Sequence, residues 1–451
     1  MQLNATAPPS AQPPTTPGRR RHLRRTAVVL ALGAVMFTVG ALFLDPVNGA
    51  ASHPAGRTRA AGPPAGSIES LQARVARLPK DSSGWAALGM AYVQQGRTTA
   101  DPATYMRAEK ALRTSLTVQA TDNTDAQIGM GALAAARHDF PTALGWALKA
   151  TTSNPYSASA HGVLADAYTQ LGRYDEADEA IQAMTDLRPD AASLARASYA
   201  FELKGDTSQA RDLMRRSLTA AATPADSAFA HAVLSSLALQ DADAKDALSE
   251  AQKGLRAAPG DSALLETKAR AHEALGEPDK AVVDYEAAIA ITPLPHYLLG
   301  LGELQQSLGH RERAEPQYAL LRAQDRIRES SRTSADTDAI LFEADHGSPQ
   351  RAVAIAEQVL RTRPFIAVHD AYAWSLHRAG RYTEALQQAD LALALGTRNA
   401  LFRYHRGAIH QALGHSDAAR ADLDQALRQP AFHPLHATAA RALLQRIDAT
   451  E

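Results

Sequence analysis

Three short runs in the 451-residue chain carry residue types that catalysis uses. "GHSDA", Gly414 to Ala418, contains a serine that could serve in a nucleophile elbow, whose hydroxyl stands on a strained strand-to-helix turn beside an oxyanion hole. Here the run joins two helical patterns, and Ala418 stands where that motif needs glycine. "PGDSA", around Ser262, opens a helical pattern, so Asp261 and Ser262 are expected to cap a helix N-terminus. "HEALG" begins like a zinc-protease helix, but Gly276 takes the place of the second ligand histidine.

Sixteen histidines invite a metal reading. His405, His410 and His415 are five apart, a spacing that turns successive side chains away from one another on a helix, and Pro434 separates His433 from His436. Neither group has carboxylates at ligand spacing nearby in sequence. "EADH", ending at His346, is a single Glu-x-x-His element, whereas di-iron bundles need a partner copy. The absence of cysteine excludes disulfides, thiolate chemistry and cysteine metal sites. No glycine-rich phosphate loop occurs. The expectation is a chain that is not an enzyme, with no cofactor and no metal.

The elements that would position any site are helical. Aromatics make up 5% of the chain, and alanine, leucine and arginine abound, a balance that favours helices over strands. Residues 1–66 hold seven Arg and one Asp, which leaves about −7 on the remainder and no electrostatic footprint for nucleic acid.

The N-terminal part reads as three segments. Residues 1–25 form a Pro- and Thr-rich tail ending in "RRRHLRR", expected to be disordered and cytoplasmic. Residues 26–44, "TAVVLALGAVMFTVGALFL", carry no charge and are long enough to span a bilayer core as a single transmembrane helix. The preceding arginines would keep the N-terminus inside and place all that follows on the outer side. A cleaved signal peptide, with secretion of the remainder, has the same layout. Residues 45–66 are rich in Ala, Gly and Pro and read as a flexible linker.

From residue 67 to 451 the chain repeats. In "HGVLADAYTQLGRYDEADEAIQAMTDLRP", residues 161–189, Leu164, Ala165 and Tyr168 share one helical face. Gly172 breaks the helix, and Ala177, Ile181 and Met184 form a second apolar face before Pro189. Two helices this short cannot bury both faces alone, so the unit requires copies as neighbours. Turn glycines recur at Gly96, Gly172, Gly205, Gly276, Gly309, Gly347, Gly380 and Gly414, several of them 33 or 34 apart. In seven of the eight an alanine follows five residues later, from Ala177 to Ala419, where close helix crossing needs a small side chain. After Gly96 the insertion "TTADPAT" delays it to Ala108, and His138 and Ala242 take the glycine's place in two weaker units.

This pattern resembles the tetratricopeptide repeat family, most closely in Trp85, Leu88, Gly89, Tyr92 and Gly96 and again in Tyr168, Gly172, Tyr174, Ala177 and Pro189. The resemblance implies an all-α superhelical solenoid of about ten helical hairpins between residues 68 and 434, with a capping helix after Pro434. The run "RAQDRIRESSRTSADTD" breaks the register and predicts a lengthened second helix and loop over 322–338, which could act as a hinge between seven repeats and three.

In that family the first helix of each hairpin lines a concave groove that takes an extended peptide or a partner's helix. Leu265, Ala269 and His272 take the packing positions of the sixth unit, so Glu266, Arg270 and Glu273 form the stripe expected to face the groove. The same offset gives Asp166 in the third unit, Asp370, Trp374 and His377 in the ninth, and Tyr404 in the tenth. The implied function is a protein–protein interaction scaffold or assembly factor at the outer face of the membrane. The alternative is a regulatory or sensor solenoid that binds a peptide or small ligand in its groove.

Overall fold

A computed structural model describes residues 66–99, 101–330, 334–429 and 431–449. Among these residues there are twenty-two α-helices and no strand. Ile68–Arg77 comes first, then ten antiparallel hairpins, then His436–Asp448. The first helices of the hairpins are Ser82–Thr99, Thr124–Ala136, Ala158–Gln170, Ala191–Leu203, Pro224–Gln240, Ser262–Ala274, Pro295–Ser307, Thr337–His346, Ile366–Arg378 and Ala400–Ala412. Each is followed by its second helix, from Pro102–Val118 to Ser416–Ala426. No helix of the described residues is long and apolar enough to cross a membrane. The apolar segment 26–44, the tail before it and most of the linker after it lie outside the described residues.

The two helices of a hairpin have different surroundings. First helices are sandwiched between neighbours and bury residues on most sides, as in Thr124–Ala136, where every residue from Ala126 to Ala136 is buried. Second helices bury one stripe at spacings of four and three, such as Ala247, Ala251 and Gly254, or Ala385, Ala389 and Ala392. The alanine that opens each such stripe is at most 3% exposed in all ten hairpins, including Ala108, Ala143 and Ala247 of the irregular units. A longer side chain there would force the two helices apart.

Turn chemistry follows the glycines. Gly172, Gly205, Gly276, Gly309, Gly380 and Gly414 have φ between 69° and 80°, the left-handed conformation that ends a helix. His138 and Ala242 adopt the same conformation, at φ 59° and 60°, and so carry a strain that glycine avoids. Gly96 departs from the expected turn. It lies inside the helix Ser82–Thr99, which the insertion lengthens, and the next helix starts at Pro102 with Asp101 as its cap. The reason for glycine there is contact: a Cβ would lie 2.5 Å from the Tyr105 ring. Gly347 also lacks a left-handed φ, and a Cβ on it would meet the Glu343 carboxyl at 2.6 Å. Asp261 caps the next helix by accepting from the Leu264 N–H at 3.0 Å, and Ser262 is its first helical residue.

The register break over 322–338 lengthens the second helix of the seventh hairpin to Arg311–Ser330, twenty residues. Gln324 Nε2 donates back to the Pro293 carbonyl at 2.8 Å, and Arg351 of the next hairpin binds Asp325 and Glu329, both at 2.6 Å.

Successive turns of the superhelix touch. Arg363 Nε donates to Gln170 Oε1 at 2.7 Å, the Ile366 N–H to the Tyr174 hydroxyl at 3.1 Å, and Gln429 Nε2 to the Gln240 carbonyl at 2.7 Å. Gly205 lies against the Gly396 carbonyl between these points. The partners are 189 to 193 residues apart throughout, roughly five and a half units of 34 residues. A seam therefore runs along the coil, with hairpin turns of the third to fifth units seated on inter-hairpin loops one turn later. Arg363 anchors it while only 2% exposed, its guanidinium 5.6 Å from the Phe140 ring centre and 5.8 Å from that of Phe365. Burial pulls its pKa down to about 10.

Candidate functional site: the inner wall

The expected site residues lie on first helices, which pack between neighbouring hairpins. At the N-terminal end of this inner wall Asp166 is satisfied by the chain itself: Arg196 Nε and Nη2 donate to its two oxygens at 2.9 and 2.8 Å. Both side chains are largely buried. They line a cavity of about 30 Å³ with Tyr174, Tyr199, Leu203 and, across the seam, Leu395. Asp166 is thus held in an ion pair inside the wall rather than offered alone to a ligand.

The middle of the wall has a different character. Glu266 and Arg270 lie 3.7 Å apart, beyond hydrogen-bond distance, and the Arg270 side chain stays 42% exposed. One turn on, the Tyr285 hydroxyl donates to Glu273 Oε1 at 2.8 Å. Glu202 of the fourth hairpin accepts from Gln240 Nε2 at 2.5 Å. Asp338 of the eighth hairpin has its Oδ2 shielded from solvent with no hydrogen-bond partner. Burial raises the pKa of all four carboxyls, Glu273 to about 7, and Arg270 opposes the rise in Glu202, Glu266 and Glu273.

The C-terminal end of the wall is filled by the chain. His433 Nε2 and His346 Nε2 lie 3.0 and 3.1 Å from the two oxygens of Glu303, and His436 Nε2 lies 3.5 Å from Asp345. The histidines hold the Glu303 carboxyl far below the usual carboxylate range, although burial opposes them. Sequence spacing concealed these pairs, since Glu303 and His433 come from the seventh hairpin and from beyond the tenth. Among the described residues no group of three or more His, Cys, Asp or Glu could hold a metal ion.

Three residues expected in an open groove are interior instead. Asp370 is 1% exposed, with both carboxylate oxygens 3.0 Å from His405 Nδ1 of the next hairpin. Trp374, 2% exposed, donates its indole N–H to Asp345 at 3.0 Å and stacks on His405 at 4.3 Å between ring centres. Tyr404 is 4% exposed and stacks on His436 at 4.8 Å, with Phe432 at 5.9 Å. The closing segment from Phe432 to His436 and the tenth hairpin cover them, which single-repeat spacing could not reveal. His377 is half-buried beside Trp374, and burial lowers its pKa to about 4. Of the residues expected on the sixth hairpin, Glu266 and Glu273 are half-buried and the Arg270 side chain is exposed.

A tetratricopeptide repeat family model matches residues 158–190 and 263–293, the third and sixth hairpins. No curated protein matches the chain. Among solved structures, a tetratricopeptide repeat protein from Parabacteroides merdae is similar at 20% identity, covering 57% of this chain and 98% of its own, with a TM-score of 0.33. PilF of Pseudomonas aeruginosa gives 19% identity, 49% and 97% coverage, and a TM-score of 0.37. A human IFIT1 dimer with PPP-AAAA gives 13% identity, 80% and 86% coverage, and a TM-score of 0.44. The chain carries tetratricopeptide repeats, an architecture typical of protein–protein interaction scaffolds.

Proposed function

We propose that the chain is a non-catalytic protein-binding scaffold or assembly factor, held at the outer face of the cytoplasmic membrane by residues 26–44, with its coil projecting beyond the linker. The observation that carries the binding part is the Glu266–Arg270–Glu273 stripe. It keeps ionisable groups on a first helix, with the Arg270 side chain 42% exposed and Glu266 beside it mostly covered, where stability alone would favour apolar side chains. The arginines of "RRRHLRR" followed by nineteen uncharged residues support the membrane part.

Crosslinking in native membranes, followed by purification of wild type and Arg270→Glu, tests the binding part. A defined protein partner captured by wild type and lost in the variant is expected; capture that ignores the change overturns the assignment of this wall. A C-terminal reporter that works only outside the membrane is expected to be active, and activity solely from cytoplasmic reporters removes the envelope reading.

The seam favours a second reading, a sensor that changes curvature. Contacts 189 to 193 residues apart would break together if a ligand unwound the coil slightly. A small metabolite that shifts thermal stability and enlarges the particle in solution would support it over the scaffold.

A further inference from the structure

We propose that the closing segment from Phe432 to His436 is a built-in occupant of a peptide site: it covers the first helices of the last four hairpins, and a partner's extended segment binds there only by displacing it. This rests on the scaffold reading for the existence of a partner and adds how access to it is regulated.

The segment meets a side chain from each of four successive first helices. His433 Nε2 lies 3.0 Å from Glu303 Oε2 of the seventh hairpin, and His436 Nε2 lies 3.5 Å from Asp345 Oδ2 of the eighth. The His436 ring stands edge-on to Trp374 of the ninth, 5.3 Å between centres, and stacks on Tyr404 of the tenth at 4.8 Å. Phe432 approaches the same tyrosine at 5.9 Å. His433 Nδ1 accepts the N–H groups of Leu435 and His436, both at 3.3 Å, so its proton sits on Nε2 and is donated to Glu303. Pro434 keeps the run out of a helix. Residues 427–435 join the helix Ser416–Ala426 to the helix His436–Asp448, a longer connection than the roughly two to eight residues usual between packed helices.

A second observation separates an occupant from a structural plug: the surface beneath is organised without it. Asp345 receives the Trp374 indole N–H at 3.0 Å and Arg378 Nη1 at 3.1 Å, and Glu303 Oε1 has His346 Nε2 at 3.1 Å. Trp374, Arg378 and His346 all stand on first helices, so these bonds survive when the segment lifts. Its departure frees one acceptor, Glu303 Oε2, and one face of Tyr404, both already held in place. The segment itself is only partly covered, since Phe432, His433, Pro434 and Leu435 are all half-buried.

That vacated surface defines what replaces the segment. A fixed carboxylate oxygen needs a donor, and a fixed phenol ring needs an aromatic face. A histidine directly after an aromatic residue supplies both, as Phe432 and His433 do. The partner is therefore an extended segment with that pairing. Tethering sets the magnitude: an occupant in the same chain acts at an effective concentration of about millimolar. A site that is open for about a tenth of the time binds an incoming peptide about tenfold more weakly than a free one.

The test uses the full-length protein in detergent and a fluorescein-labelled peptide, PAFHPLHA, the sequence of residues 430–437, with PAFAPLAA as control. Wild type is expected to bind PAFHPLHA weakly. Phe432→Ala combined with His433→Ala loosens the resident segment without altering the first helices, and should tighten peptide binding about tenfold. Adding Glu303→Leu removes the acceptor and should cancel the gain. The control peptide should gain nothing in either variant, which separates a built site from a misfolded surface. Equal affinity of wild type and the double variant, a gain that survives Glu303→Leu, or a gain shared by the control peptide overturns the proposal. If membrane crosslinking captures a partner while the double variant gains no peptide affinity, this inference falls and the scaffold stands. If the peptide binds as described but no partner is captured by wild type or by the double variant, the scaffold reading is the part that fails.

Discussion

Replacing Gly172 with alanine measures what the seam contributes. Gly172 has φ 69°, so any side chain there costs about 1 to 2 kcal/mol from the left-handed backbone alone. A Cβ would also lie 2.5 Å from the Pro364 carbonyl oxygen one superhelical turn away, too close for either backbone to stay in place. Separation of the two loops would break the Arg363–Gln170 and Ile366–Tyr174 hydrogen bonds, at 2.7 and 3.1 Å. With a buried guanidinium involved, that adds about 2 to 4 kcal/mol. Gly276 is the control, since it has φ 73° and nothing within 4 Å of its would-be Cβ. Gly276→Ala should cost only the backbone strain. Guanidinium denaturation of the purified protein compares the two, and small-angle X-ray scattering reads the coil's radius. The expected result is a larger loss for Gly172→Ala together with expansion. Equal losses, within about 0.5 kcal/mol, and unchanged radii would refute the seam as a stabilising contact.

Further outcomes follow from other positions. Ala242→Gly relieves a left-handed alanine, at φ 60°, on an exposed turn; after the entropy of glycine it should stabilise by about 0.5 to 1 kcal/mol, read as a higher melting temperature. The Glu273 carboxyl, pushed up to about 7 by burial, favours the folded state most when protonated. Its contribution is full below the unfolded value near 4.5 and is lost as pH rises through about 7. Glu273→Gln should therefore flatten the pH dependence of stability over that window and raise stability at pH 8 by at most about 3 kcal/mol; a profile unchanged by the substitution contradicts this. Trp374→Ala should destabilise by about 3 to 5 kcal/mol, because it empties an interior site and removes the indole donor to Asp345, and a variant as stable as wild type would mean that the tryptophan is not interior.

The repeating parts of the fold are legible in the sequence because their causes are local. A left-handed turn selects Gly172 or Gly205 by sterics within one hairpin, and a close helix crossing selects Ala210 or Ala419 by contact with the partner helix. Where the local rule bends, as at Gly96, the cause is a contact, here with Tyr105, that turn chemistry does not encode. The inner-wall offset proposes Glu266, Arg270 and Glu273 from the spacing of one helix alone. It misplaces Asp370, Trp374 and Tyr404, whose covering residues run from His405 to His436. The pairs Arg363–Gln170 and Glu303–His433 depend on the pitch of the superhelix, a sum of small rotations over many hairpins. Periodicity fixes that a coil forms, while side-chain volumes in each interface fix how tightly it closes.

In the proposed scaffold, partners are held by the inner wall of the coil. Photo-crosslinkers placed at position 270, on the wall, and at position 283, where Val283 is 62% exposed on an outer helix, test it in the native membrane. The account predicts a defined protein adduct from position 270 and none from position 283. Adducts from 283 alone would place the partner on the convex face and contradict it.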